Sequence, residues 1–172
     1  MDIGLSKNIG YYLRDNELLL ATAESCTAGL ISATLAETAG SSKWLDAGFV
    51  VYSPEAKAKS LGVNLNTITQ YDITSCEVAQ EMSIGALKNS RANIAVSVTG
   101  VAGPGGGTED IPVGTVCMSW AFVKNEKIIT FEEKVLFSGD RNSIREQVVE
   151  YTLNQIMPYH KKVLSNSNKL KL

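Results

Sequence analysis

Leu18-Leu19-Leu20-Ala21-Thr22-Ala23-Glu24-Ser25-Cys26-Thr27-Ala28-Gly29 decides how this chain is read. Leu18 to Thr22 is a short, nearly unbroken apolar run, the mark of a strand buried on both faces. From Ser25 to Thr38 the apolar residues Ala28, Leu30, Ile31, Ala33 and Leu35 return at helical spacing, and Ala39-Gly40 closes the segment. A buried strand running straight into a helix is the unit of an α/β domain.

The pattern continues outward. Residues 3–15 predict a short helix on Ile9, Tyr12 and Leu13. Leu45 to Tyr52 predicts a second strand. Ser53-Pro54-Glu55 then starts a helix with an N-cap serine, proline at the first position and an acid in the first turn; it stops at Gly62. Thr74-Ser75-Cys76-Glu77 reads as a capping box opening a helix to about Lys88. Ile94 to Thr99 is a β-branched strand, followed by a glycine-rich loop from Gly100 to Pro112. Val113–Val123 and Lys127–Phe137, joined at Lys124-Asn125-Glu126, predict an antiparallel hairpin. Asp140 to about Met157 forms the last helix, with Ile144, Val148, Val149, Leu153 and Ile156 in one stripe. The expected fold class is therefore α/β: a three-layer α/β/α sandwich with a mixed β-sheet. It is a single domain over residues 1–158, with 159–172 a polar, flexible tail.

Composition narrows the chemistry. Of 172 residues, 16 are basic and 18 acidic, a net charge of −2, which gives no footprint for nucleic acid. No apolar run approaches the ~20 residues of a membrane span, and no basic and apolar leader is visible, so a cytoplasmic location is expected. The three cysteines (Cys26, Cys76, Cys117) form no C-x-x-C pair, which argues against structural zinc and against a disulfide framework. Cys26 stands out, because a helix start beside it would lower its thiol pKa. The lone histidine, His160, lies in the expected tail. Acid–base catalysis would have to do without it.

Four segments offer chemistry, each with a plainer alternative. Ser25 lies at a strand end and at the expected start of a helix, where free N–H groups can hold an oxyanion; Ser25 or Thr27 could equally be a simple N-cap. Lys57, in the first turn after Pro54, would be a neutral amine if buried there, or a solvated surface lysine like Lys59. Tyr52 at the strand end could relay a proton or orient a substrate. The segment Thr99-Gly100-Val101-Ala102-Gly103-Pro104-Gly105-Gly106-Gly107 can bring backbone close to a ligand, but it is neither a P-loop nor G-x-G-x-x-G. Arg141, after Gly139-Asp140, could clamp a phosphate or carboxylate, or be an ordinary surface arginine.

In this order, the motifs Ala23-Glu24-Ser25-Cys26-Thr27-Ala28-Gly29, Gly40-Ser41-Ser42, Tyr52-Ser53-Pro54-Glu55-Ala56-Lys57, Val98-Thr99-Gly100-Val101-Ala102-Gly103-Pro104, Pro112-Val113-Gly114-Thr115-Val116 and Gly139-Asp140-Arg141 resemble the CinA C-terminal domain family over residues 6–157. The resemblance implies an amidohydrolase that converts nicotinamide mononucleotide and water to nicotinic acid mononucleotide and ammonia. It places a serine nucleophile on Ser25, with Lys57 and Tyr52 as its activating pair. Thr27, Thr99, Gly100, Gly103, Gly105 and Arg141 become expected substrate contacts. It implies no metal and no cofactor, a small-molecule nucleotide as partner, no nucleic acid, no membrane, and a homodimer. The pyrophosphatase domain of larger CinA proteins is not expected in a chain this short. Ala28 stands where the family usually has glycine, and Val51-Tyr52-Ser53-Pro54 replaces the commoner Thr-Tyr-Ser-Asn. The competing expectation is a non-catalytic module that keeps the pocket and binds a nucleotide.

Overall fold

Residue size on the two sides of the central strands dictates how the helices pack. The computed structural model describes residues 3–165. Five strands, β1 (Leu20–Glu24), β2 (Leu45–Val50), β3 (Ile94–Gly100), β4 (Thr115–Lys124) and β5 (Lys127–Leu136), form one sheet in the order β2-β1-β3-β4-β5. β2, β1 and β3 are parallel; β4 runs antiparallel to both β3 and β5. This is the expected mixed sheet in a three-layer α/β/α domain.

One face carries large side chains: Leu20, Ile94, Val96, Val98, Met118, Trp120 and Phe122. Helices α1 (Ile3–Asp15), α2 (Leu30–Ala36), α6 (Arg141–Asn154) and α7 (Ile156–Ser165) cover it. The other face carries Ala21, Ala23, Ala95 and Ala121, with Ser97 and Ser119 bonding to Ala79 and Ser83 of α5 (Cys76–Lys88). Small residues let α5 lie close to the sheet. α3 (Pro54–Leu61) and α4 (Leu65–Tyr71) complete that layer. Gly85 of α5 faces the end of α3, where a Cβ would overlap the Leu61 carbonyl.

Boundaries moved where main-chain partners differ from what local pattern suggests. β1 begins two residues after the predicted start, because Leu18 N–H caps the end of α1 at Leu13 O and Leu19 N–H goes to Asn93 Oδ1. α2 begins at Leu30, not Ser25: residues 25–29 form a turn, with Ala28 (φ 51°) and Gly29 (φ 91°) left-handed. Gly40 does not end this helix; it precedes a 3₁₀ turn at Ser41–Lys43. Ser75, not Thr74, caps α5 by accepting from Val78 N–H. α4 escaped the sequence reading because only Leu65 and Ile68 are aliphatic in it and no apolar stripe forms.

The tail expected at 159–172 is wrong for 159–165, which belong to α7; the remaining residues lie outside the described ones. Pro158 does not stop the chain, because it occupies the first turn of α7, where an N–H has no helical partner. Tyr159, His160 and Val163 are buried there, and Tyr151 and Tyr159 both donate to the Glu133 carboxylate on β5.

Candidate active site

β1 and β3 are parallel neighbours, and their carboxyl ends open beside the glycine-rich loop. Ser25 follows β1 directly, and its N–H is pinned to Val98 O at 3.0 Å. β2 ends at Val50, and Ser53 caps α3 by accepting from Ala56 N–H at 3.1 Å, with Pro54 at the first helical position. That cap aims the first turn of α3 back at β1. Lys57 Nζ therefore reaches Ser25 Oγ at 2.9 Å, Val51 O at 2.9 Å and Tyr52 O at 3.3 Å.

Lys57 is fully buried. No carboxylate pairs with it among the described residues. Removal from water pushes its pKa down to about 8, with the neighbouring Cys26 thiol pulling weakly the other way. A neutral amine here keeps two N–H bonds for the Val51 and Tyr52 carbonyls. Its lone pair is then left for the Ser25 hydroxyl. The surface-lysine alternative for Lys57 is excluded by this burial.

The cleft above Ser25 has a volume of about 250 Å³. Thr99, Gly100, Gly103 and Gly105 line it, with the exposed Tyr52 and Arg141 at the rim. Gly100 is required there: a Cβ would come within 2.5 Å of Thr115 O. Arg141 donates to Gly103 O at 2.7 Å and to the Tyr52 hydroxyl at 2.9 Å, so it ties the β2–α3 connection to the glycine loop.

A family model, the CinA C-terminal domain, matches residues 2–160. The chain belongs to the CinA C-terminal domain family. It is 45% identical over 152 residues to the Escherichia coli (strain K12) protein named nicotinamide-nucleotide amidohydrolase PncC, covering 88% of this chain and 90% of that one. It is 44% identical to a CinA-like protein of Chloroherpeton thalassium, of which it spans 37%. Among solved structures, the competence/damage inducible protein CihA of Agrobacterium tumefaciens superposes with a TM-score of 0.83 at 40% identity, covering 91% of this chain and 93% of that one. A competence or damage-inducible protein of Enterobacter asburiae gives 0.85 at 33% identity, covering 92% and 98%.

In this CinA domain several expected contacts are rearranged. Thr27 does not face the cleft: it is buried, its hydroxyl donates to Glu24 at 2.8 Å, and its carbonyl accepts from Arg145. The Tyr52 hydroxyl does not stand between Lys57 and Ser25; only the Tyr52 carbonyl touches the lysine. The amides at the start of α2 cannot serve an oxyanion, since Ile31 and Ser32 N–H both donate to Glu24. Cys26 is not an activated thiol. Burial pushes it up to about 11, because the helix start that would lower it lies at Leu30. Sequence reading missed Ile73 and Thr74, which line the cleft from the α4–α5 connection; Thr99 Oγ1 bonds Ile73 O at 2.8 Å, a contact with no local signal. No group of three His, Cys, Asp or Glu is placed to hold a metal among the described residues, and no helix there is long and apolar enough to cross a membrane.

Proposed function

We propose that this protein hydrolyses the carboxamide of nicotinamide mononucleotide, giving nicotinic acid mononucleotide and ammonia, with Ser25 as nucleophile and Lys57 as its base. The observation that carries the reading is the 2.9 Å contact from a fully buried Lys57 Nζ to Ser25 Oγ. The name of the Escherichia coli relative supports the substrate class.

Lys57 takes the hydroxyl proton as Ser25 Oγ bonds to the amide carbon. The tetrahedral oxyanion is met by main-chain N–H groups of the Ser25–Gly29 turn or of the glycine loop. The lysine then returns the proton to the leaving nitrogen, which departs as ammonia and leaves an ester on Ser25. Water attacks this ester, Lys57 accepts its proton and passes it to Ser25 Oγ, and the carboxylic acid is freed. The division of labour is that of a serine–histidine pair, with a desolvated amine as the base. Arg141 would meet the substrate's phosphate by exchanging its bonds to Gly103 and Tyr52 for bidentate contacts.

Ammonia release from nicotinamide mononucleotide in the presence of a chelator tests this. Wild-type protein turns over; Ser25→Ala and Lys57→Ala each lose at least about a thousandfold in kcat. Wild-type turnover in both variants refutes the reading. Substrate binding by calorimetry without any ammonia release would identify a binding module instead.

A further inference from the structure

Glu24 is fully buried one residue before Ser25, and no step above uses it. Its Oε1 accepts from Ser32 N–H at 2.9 Å, Ser32 Oγ at 2.8 Å and Thr22 Oγ1 at 3.1 Å. Its Oε2 accepts from Thr27 Oγ1 at 2.8 Å and Ile31 N–H at 3.0 Å. No cation pairs with it among the described residues. Burying a carboxylate without a counter-ion is costly, and an exposed serine or aspartate would cap α2 more cheaply. The geometry gives the cost a use. The carboxylate of residue 24 grips residues 27, 31 and 32, so the main chain between them closes into a ring around it. Ser25 is the first residue of that ring.

We propose that Glu24 is a positioning residue, whose carboxylate holds the Ser25–Gly29 turn so that Ser25 Oγ stays on Lys57 Nζ. The proposal rests on Ser25 being the nucleophile. Charge matters here, not only shape. Each carboxylate oxygen faces a main-chain N–H, which cannot turn around and accept. A glutamine of the same shape sets its NH₂ against Ile31 or Ser32 whichever way it flips, and the ring opens. A nucleophile displaced by about 1 Å can lose about a hundredfold in rate.

The test uses the full chain. It measures kcat and KM for ammonia release from nicotinamide mononucleotide, the rate of Ser25 labelling by a fluorophosphonate (followed by mass spectrometry), and the melting temperature. Glu24→Gln should lower kcat and labelling together by about a hundredfold, with KM within about twofold. Thr27→Val removes one of the five donors while keeping the side-chain shape. It should lower kcat about tenfold, and Thr27→Ser, which restores the hydroxyl, should recover it. If Glu24→Gln fails to fold, the Thr27 pair decides. Variants that melt earlier yet keep wild-type kcat and labelling overturn the proposal and leave Glu24 as a helix cap, while Ser25→Ala stays inactive. A raised KM at unchanged kcat overturns it too. If the wild type shows neither turnover nor Ser25 labelling, the nucleophile reading fails and takes this proposal with it.

Discussion

Burial of Lys57 costs stability, and in the proposed mechanism the same burial makes its amine a base. Its pKa of about 8 lies below the ordinary 10.5 because burial disfavours the ammonium. The neutral base is the folded protein's majority form only above that value. We expect kcat/KM to rise about tenfold per pH unit up to about pH 8 and then level off; a flat profile across about pH 6 to about pH 9.5 would exclude Lys57 as the base. The same shift sets a stability slope. Between about 8 and 10.5 the unfolded chain binds the proton that the folded chain has lost, so unfolding free energy, followed by denaturant titration, should climb with pH across that window. Ala28 is a second residue under strain, at φ 51° where glycine rests more easily. Ala28→Gly should raise stability by about 0.5 kcal/mol in thermal unfolding, since the relieved left-handed strain exceeds the extra entropy of glycine. Ser25, Lys57 and Arg141 stand out in the sequence as candidates because each lies beside a strand end or helix start, but spacing leaves a plainer alternative for each, and the family resemblance is what singles them out. Glu24 was not: in a sequence it is one more charged residue, and only five converging donors reveal its burial.

At the scale of elements, α3 must deliver a lysine to a serine 32 residues away in the chain. Its direction comes from the Ser53 cap and Pro54, and its depth from contact with α5 at Gly85. Gly85→Ala should drive the two helices apart, costing about 2 kcal/mol of stability by chemical denaturation and lowering kcat along with it. Retained turnover at full stability would mean that α3 is aimed by its cap alone. The elements with dense local signals, such as the Ser53-Pro54 start, the Asp140 cap and the β4–β5 hairpin, were readable from spacing. The hairpin turn, Asn125-Glu126, holds two consecutive left-handed residues (φ 48° and 61°), the conformation that a two-residue connection needs to match strand twist. α7 extends past the expected helix end because Pro158 reads as a stop and the basic run His160-Lys161-Lys162 after it hides Tyr159, His160 and Val163, which continue the stripe from Ile156. Those side chains become core only when Phe122, Phe131 and Trp120 are there to receive them.

Across the whole molecule, His160 and Ser25 sit at opposite ends of the sheet. His160 stacks on Phe122, which pairs with Ile94 at the start of β3, while Ser25 follows Glu24, which pairs with Val98. Four residues along a strand span about 13 Å. His160→Ala should therefore leave turnover unchanged. It should still cost about 1–2 kcal/mol of stability, because it removes the 3.0 Å bond to the Tyr12 hydroxyl and the ring contact. Burial, aided by Lys124, holds the His160 pKa below its usual value. The folded state keeps the ring neutral, so stability falls as pH drops below about 6.5, where the unfolded chain takes up the proton; the alanine variant should lose that slope. The α/β class, the succession of strands, most of the helices and the residues at strand ends can be read along the chain alone, because periodicity, caps and turn residues act over a few neighbours. Packing alone settles that Lys57 is buried on Ser25, that the Glu24 carboxylate bonds across the turn that follows it, that Thr27 turns away from the cleft, and that Tyr159, His160 and Val163 of the expected tail belong to the core. Burial and convergent hydrogen bonds belong to surfaces made by residues distant in the chain, and those surfaces do not exist before the layers pack.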